Sequence, residues 1–220
     1  MKRVSLFVVA IIIACTSSAL PADEKDWRLV KHKDGIDVFV KNVPGSAMRQ
    51  YRGVMRMQGV RLANFVAVMD DAPSYPRWMH SCAEARVVRI VNRLERYTYV
   101  RTAAPWPVSD RDIVYYSVVR QDPKTLAVTI IATGVPDAVP QVKGVVRLPK
   151  ATAIWTFTPA VDGSVVVELI QHAEPGGSVP TSLVSLAEVD IPFYTLLKMR
   201  AVVRESRYSQ ASYPEIKEPR

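Results

Sequence analysis

The sequence predicts an α+β domain in which one curved antiparallel β-sheet wraps a long C-terminal α-helix. Three observations predict it. Seven segments between residues 84 and 173 have the alternation and composition of β-strands. The joins between them are short, such as Asp122-Pro123 and Val161-Asp162-Gly163, whereas parallel neighbours need crossovers of about a dozen residues or more. The one long helical stripe follows the strands, so a sheet curling around it buries both apolar faces. With 49% hydrophobic and 23% charged residues among 220, the chain has material for a sizeable core, which excludes global disorder. No long-period repeat is present, which excludes solenoids and propellers.

The chain opens with Lys2 and Arg3, an apolar run over 4–14, and small residues with a proline before Asp23. That is the layout of a secretory signal peptide over 1–22, and the run is far shorter than the roughly 20 residues of a membrane-spanning helix. Export to the periplasm is the expectation, with cleavage near Ala19 or Ala22. Ile12-Ile13-Ala14-Cys15 is also similar to a permissive bacterial lipobox, which would anchor the protein through Cys15. After cleavage only Cys82 remains, so the fold must hold without an internal disulfide. Removing the two cations Lys2 and Arg3 takes the net charge from +8 to +6. The basic residues are dispersed and no nucleic-acid motif accompanies them, which argues against a nucleic-acid partner. What remains is a mild attraction to anionic membrane surfaces. The folded domain is expected over 23–206 and a loose polar tail over 207–220, and a monomer is expected.

Element by element, Trp27 to Lys41 forms a hairpin around Lys33-Asp34-Gly35, and 48–58 is a strand with Arg49, Tyr51, Gly53, Met55 and Met57 on one side. Leu62, Phe65, Val66 and Met69 have helical spacing, ended by Asp70-Asp71 and Pro73. A helical turn follows over 73–79, anchored by Trp78. Strands are expected over 84–91, 95–103, 112–120, 126–133, 144–148, 151–158 and 164–173. Glu174-Pro175-Gly176-Gly177-Ser178 is a loop, with Ser178 as N-cap and Pro180 in the first turn of the last helix. The loop lacks the spacing of phosphate-binding motifs, so capping is its role. The helix runs to about Arg204, and Pro192 is expected to kink it.

Trp27-Arg28-Leu29 with Asp34-Gly35-Ile36, Tyr51-Arg52-Gly53, Trp78, Pro105-Trp106-Pro107 through Arg111-Asp112, Gly134-Val135-Pro136, Trp155-Thr156-Phe157 and Glu174-Pro175-Gly176-Gly177 occur in this order over 27–204. In that order they resemble the START domain, the steroidogenic-acute-regulatory-related lipid-transfer fold. The resemblance implies a helix-grip fold enclosing an apolar cavity, with the C-terminal helix and nearby loops as its lid. It implies binding and transfer of a lipid or other hydrophobic small molecule, transient membrane contact, no cofactor, and no catalysis.

In the family the arginine of the Arg-Asp motif lies in or near the cavity; carried over, that is Arg111. An unpaired guanidinium in apolar surroundings costs on the order of several kcal/mol, so it needs a partner. Asp110 and Asp112 flank it, but adjacent side chains on a strand point to opposite faces, so the partner belongs to another strand. Alternatively, Arg111 and Asp112 tie the strand start to a loop; both readings stay open. Pro105-Trp106-Pro107 is expected to stiffen the preceding turn, with Trp106 packed as its pin.

If Arg111 points inward, so do Ile113, Tyr115, Ser117 and Val119. Solvent-facing Thr152, Thr156 and Thr158 turn Ala153, Trp155 and Phe157 inward, and an outward Glu168 does the same for Val167 and Leu169. Leu183, Leu186, Phe193 and Leu197 form the helix side. These residues would equally fill a solid core, and the family resemblance is what favours a cavity. The rival is a helix-grip enzyme, hydrolase or cyclase-like. Its candidates are His32, His80 two residues from Cys82, and His172 beside Glu174, yet no catalytic triad, nucleophile elbow or metal-ligand cluster accompanies them. A structural histidine and an inert thiol are the simpler readings.

Overall fold

The computed structural model describes residues 26–177 and 181–219, with the backbone alone for 181–188. The expected signal segment, Cys15, Ser178 and Pro180 lie outside the described residues. Three strands open the fold: β1 (Arg28–Lys33), β2 (Ile36–Asn42) and β3 (Arg49–Gln58). Helix α1 (Leu62–Asp70), a single tight turn (Ala72–Ser74) and α2 (Tyr75–Trp78) follow. Then come β4 (Cys82–Asn92), β5 (Glu95–Thr102), β6 (Arg111–Gln121), β7 (Val128–Gly134), β8 (Val146–Arg147), β9 (Lys150–Pro159) and β10 (Ser164–Glu174). The long helix α3 (Thr181–Val202) and a last turn α4 (Ser206–Ser209) complete it.

The strand order is β1-β2-β3-β10-β9-β7-β6-β5-β4, every neighbouring pair antiparallel, as the short joins require. The exception is β8, which lies parallel to the start of β6. The strand expected over 144–148 shrinks to these two residues because Pro149 has no N–H to extend the ladder.

Helix α3 settles onto β3 at Gly53. A Cβ there would stand 2.7 Å from Leu196 Cδ1 and 3.2 Å from Pro192 Cβ, so a bare backbone is what lets the helix approach. The helix runs unbroken through Pro192, whose ring is part of this contact. On the other side of the core α1 is buried along most of its length, and Phe65 stacks on Phe157 with ring centroids 4.6 Å apart. Trp78 is fully buried against Trp155 and Tyr75, as its expected anchor role requires.

The C-terminal tail corrects an expectation. Residues 207–219 are docked, not loose: Tyr208 and Ile216 are buried, and Gln121 exchanges two hydrogen bonds with the Lys217 backbone. The Glu218 carboxylate accepts from the N–H groups of Leu62 and Ala63, both at 2.9 Å. It thereby caps α1, whose own N-cap, Arg61, has no side-chain acceptor to offer. Among the described residues no helix is long and apolar enough to cross a membrane.

Candidate functional site

The register of the sheet makes a hollow. Across one row, Val167, Phe157 and Val128 face inward and pack solidly. The next row is Leu169, Trp155, Ile130 and Val119. One step further come Gln171, Ala153, Ala132, Ser117 and Arg96, and then Tyr115 opposite Gly134 and Thr98. Side chains of one to three heavy atoms on adjacent strands leave the space between sheet and helix unfilled. The result is a cavity of about 110 Å³, lined on the helix side, among the described side chains, by Ile191 and Thr195.

The cavity has a charged end. The guanidinium of Arg96 meets Asp70 Oδ1 at 2.7 Å and also donates to the carbonyls of Asp70 (3.3 Å) and Arg93 (3.2 Å). Tyr75 donates to the Met69 carbonyl at 2.6 Å. Burial pushes the Asp70 carboxyl up from its ordinary value, while the Tyr213 hydroxyl and Arg96 pull it back. At the other end lie Thr102, Ile113 and Leu148. Tyr115 also lines the cavity, its hydroxyl has no hydrogen-bond partner among the described residues, and burial alone pushes its pKa up.

Of the residues chosen from the sequence, Ile113, Tyr115, Ser117, Trp155 and Leu169 come together on the cavity wall. Phe157 and Val167 face the same side but lie in the solid row, fully buried. Leu183 and Leu186 fall among the residues whose side chains are not described. Phe193 and Leu197 are off the lining, because the helix turns a different face to the cavity. Phe193 instead packs beneath Lys31, whose ammonium sits 3.8 Å from the ring centroid.

Arg111 is likewise off the lining. It lies opposite Thr102 at the first position of β6, beyond the cavity lining, and donates to the Ser109 carbonyl. The deeply buried charge is Asp112, 1% exposed. Arg147 on β8 holds it through two bonds, Nε to Oδ1 at 2.7 Å and a terminal nitrogen to Oδ2 at 3.1 Å. The same guanidinium donates to the carbonyls of Pro136, Val139 and Pro140. The motif therefore ties the β7–β8 loop to the start of β6, the second of the two open readings, with aspartate as the anchored group. Trp106 is not a packed pin: it is 92% exposed. Its loop is held from within by Asp110, which accepts from Ala104 N–H and from Arg101, both at 3.1 Å.

Sequence reasoning missed Asp70 and Arg96. Arg96, Thr98, Val100 and Thr102 do alternate along β5, which was an available signal, but only the tertiary fold brings the end of α1 onto Arg96. The catalytic candidates scatter. His32 pairs with Asp37 on an exposed hairpin, and His172 lies 3.2 Å from Ser46 Oγ and 3.7 Å from Glu174. The Cys82 thiol points to the Glu84 carbonyl and is pushed by burial to about 11, while His80 reaches the cavity lining and stacks on Tyr194. Among the described residues no group of three or more His, Cys, Asp and Glu could hold a metal.

Residues 16–206 match the START domain family. The chain belongs to that family. A START relative, the STAR-related lipid transfer protein of Xanthomonas axonopodis, is 37% identical, with a TM-score of 0.75 over 82% of this chain and 99% of that one. Human StAR-related lipid transfer protein 5 shares the fold at 16% identity, with a TM-score of 0.70 over 83% and 88% of the two chains. An uncharacterized protein of Pseudomonas aeruginosa is 32% identical over 183 residues, 82% of this chain and 88% of its own. The helix-grip architecture expected of a START domain is the one observed.

Proposed function

We propose that this START protein binds a hydrophobic molecule with an uncharged hydrogen-bonding head, an alcohol or a carbonyl, and carries it between membranes without acting on it chemically. One observation carries the reading: a largely apolar cavity lined by Tyr115, whose hydroxyl has no hydrogen-bond partner among the described residues. A hydroxyl on an apolar wall with no protein partner has a ligand oxygen as its natural complement. Asp70 and Arg96 neutralise one another, so among the described residues this pair leaves no uncompensated cation for an ionised head. The description of the Xanthomonas relative as a lipid transfer protein supports the same class.

The cavity's volume, about 110 Å³, is small beside the roughly 300 Å³ at which drug-sized pockets begin. A lipid-sized ligand therefore enters only if α3 and the neighbouring loops move outward, and Pro192 gives α3 a natural hinge. Trp106 projects from the β5–β6 loop at the end of the cavity marked by Thr102 and Ile113. An exposed indole between two prolines suits the interfacial layer of a bilayer, so this end docks on the membrane. The N-terminal segment directs the protein to the periplasm, where it works as a monomer.

The test is native mass spectrometry of protein purified from the periplasm, followed by organic extraction of what it carries. An adduct on the order of a few hundred daltons is expected, with an uncharged polar head. Tyr115→Phe, which removes only the hydroxyl, is expected to weaken that ligand about tenfold. A bare mass, together with no uptake of added alcohols, sterols or neutral lipids, overturns the proposal.

A further inference from the structure

Residues 207–219 lie outside the stretch that matches the START family, yet they form part of the wall behind the cavity's charged end. The two oxygens of Asp70 are divided between inside and outside. Oδ1 meets Arg96, which lines the cavity; Oδ2 accepts from the Tyr213 hydroxyl at 2.6 Å, from the tail. The tail is pinned on both sides of that contact. Arg61 donates to the carbonyls of Ser209 and Ala211, and Tyr208 donates to Asp71 at 2.7 Å. Beyond Tyr213, Arg93 pairs with Glu215 at 3.1 Å, Ile216 is buried, and Glu218 caps α1, the helix that ends in Asp70. Arg93 also lies against the Tyr213 ring and gives its carbonyl to Arg96.

We propose that this C-terminal strap, through Tyr213, holds Asp70 as a carboxylate locked onto Arg96 and so sets which head group the cavity accepts. The inference rests on the cavity reading above. Its chemistry is a balance of charge. Burial favours the neutral form of Asp70, and the Tyr213 and Arg96 contacts oppose it. Without the phenol, Asp70 loses its outer bond and is free to take up a proton or swing away. Arg96 then faces the cavity with its cation uncompensated, an attractive site for an anionic head and a poorer background for a neutral one. Tyr213 is thus a positioning residue that touches no ligand.

The experiment uses the full chain and a matched pair of ligands, octanol and octanoate, displacing a neutral naphthalene fluorophore at a pH where octanoate is ionised. The wild type is expected to prefer octanol. Tyr213→Phe and Asp70→Asn are each expected to shift the octanoate-to-octanol affinity ratio about tenfold toward octanoate, the size of one charge-assisted hydrogen bond. Thermal melting of both variants checks that they remain folded. A shifted ratio in Asp70→Asn with an unshifted ratio in folded Tyr213→Phe overturns the role of the strap and leaves the cavity reading standing. An unshifted ratio in both overturns the role of the charge pair as well. If the wild type binds neither the fluorophore nor octanol, the cavity reading itself falls and the inference falls with it.

Discussion

The space between sheet and helix has two halves built by the same alternation. In one, Phe157 stacks on Phe65 of α1 beside Val167 and Val128, all of them fully buried. In the other, two rows further along the same strands, Ala153, Ala132 and Ser117 face a void that Ile191 and Thr195 also line. Strand pairing and pleat are identical in the two halves; side-chain size at inward positions, and which helix lies above them, are what differ. Period-two patterning therefore says which residues face in, while the register across neighbouring strands says whether they fill the interior or leave it open.

The sharpest way to break this contrast is to open the solid half. Phe157→Ala removes a fully buried ring and is expected to cost about 3–5 kcal/mol, read from chemical denaturation. An effect of similar size is expected at the latch between β6 and β8. Arg147→Met leaves Asp112 buried without its partner, and about 3–5 kcal/mol of stability should go with it. Filling the hollow half should do the opposite. Ala132→Leu is expected to abolish uptake of the neutral fluorophore while changing stability by less than about 1.5 kcal/mol, because the added atoms meet empty space. A large loss of stability there would mean that the half is as tightly packed as its neighbour.

Two smaller effects follow from burial of single groups. With the Cys82 thiol at about 11, on the order of one thiol in a thousand is ionised at pH 8, so alkylation of the native protein should lag far behind that of the unfolded chain. Burial, and then Lys198, hold His80 below its ordinary value. As pH falls through about 6.5, the unfolded chain takes up a proton before the folded one does, so stability declines from there toward the lowered folded value. His80→Gln should flatten that limb of the stability profile, and an unchanged profile would place the loss elsewhere.

Arg111 and Asp112 show where reading the chain alone goes astray. Their spacing announces that one charge at the start of a strand is special, but the chain does not say which. The answer depends on Arg147, 35 residues away, whose side chain reaches Asp112 only because β8 runs alongside β6. Trp106 misled for the converse reason: a ring between two prolines looks like an anchor until Asp110 is seen to hold the loop instead. On the helix, Phe193 packs under Lys31 of β1, and Ile191 and Thr195 are the described side chains that reach the cavity.

Local composition and periodicity were enough to determine the element order, the antiparallel sheet, the helix that follows it and the inward faces of β9 and β10. Each of these is a property of neighbours along the chain, where pleat and turn chemistry act. The hollow, the Asp70–Arg96 pair, the Asp112–Arg147 latch and the docking of the tail were decided by tertiary structure alone. Each joins groups far apart in sequence, and burial then makes their charges and hydroxyls matter more than they would in water.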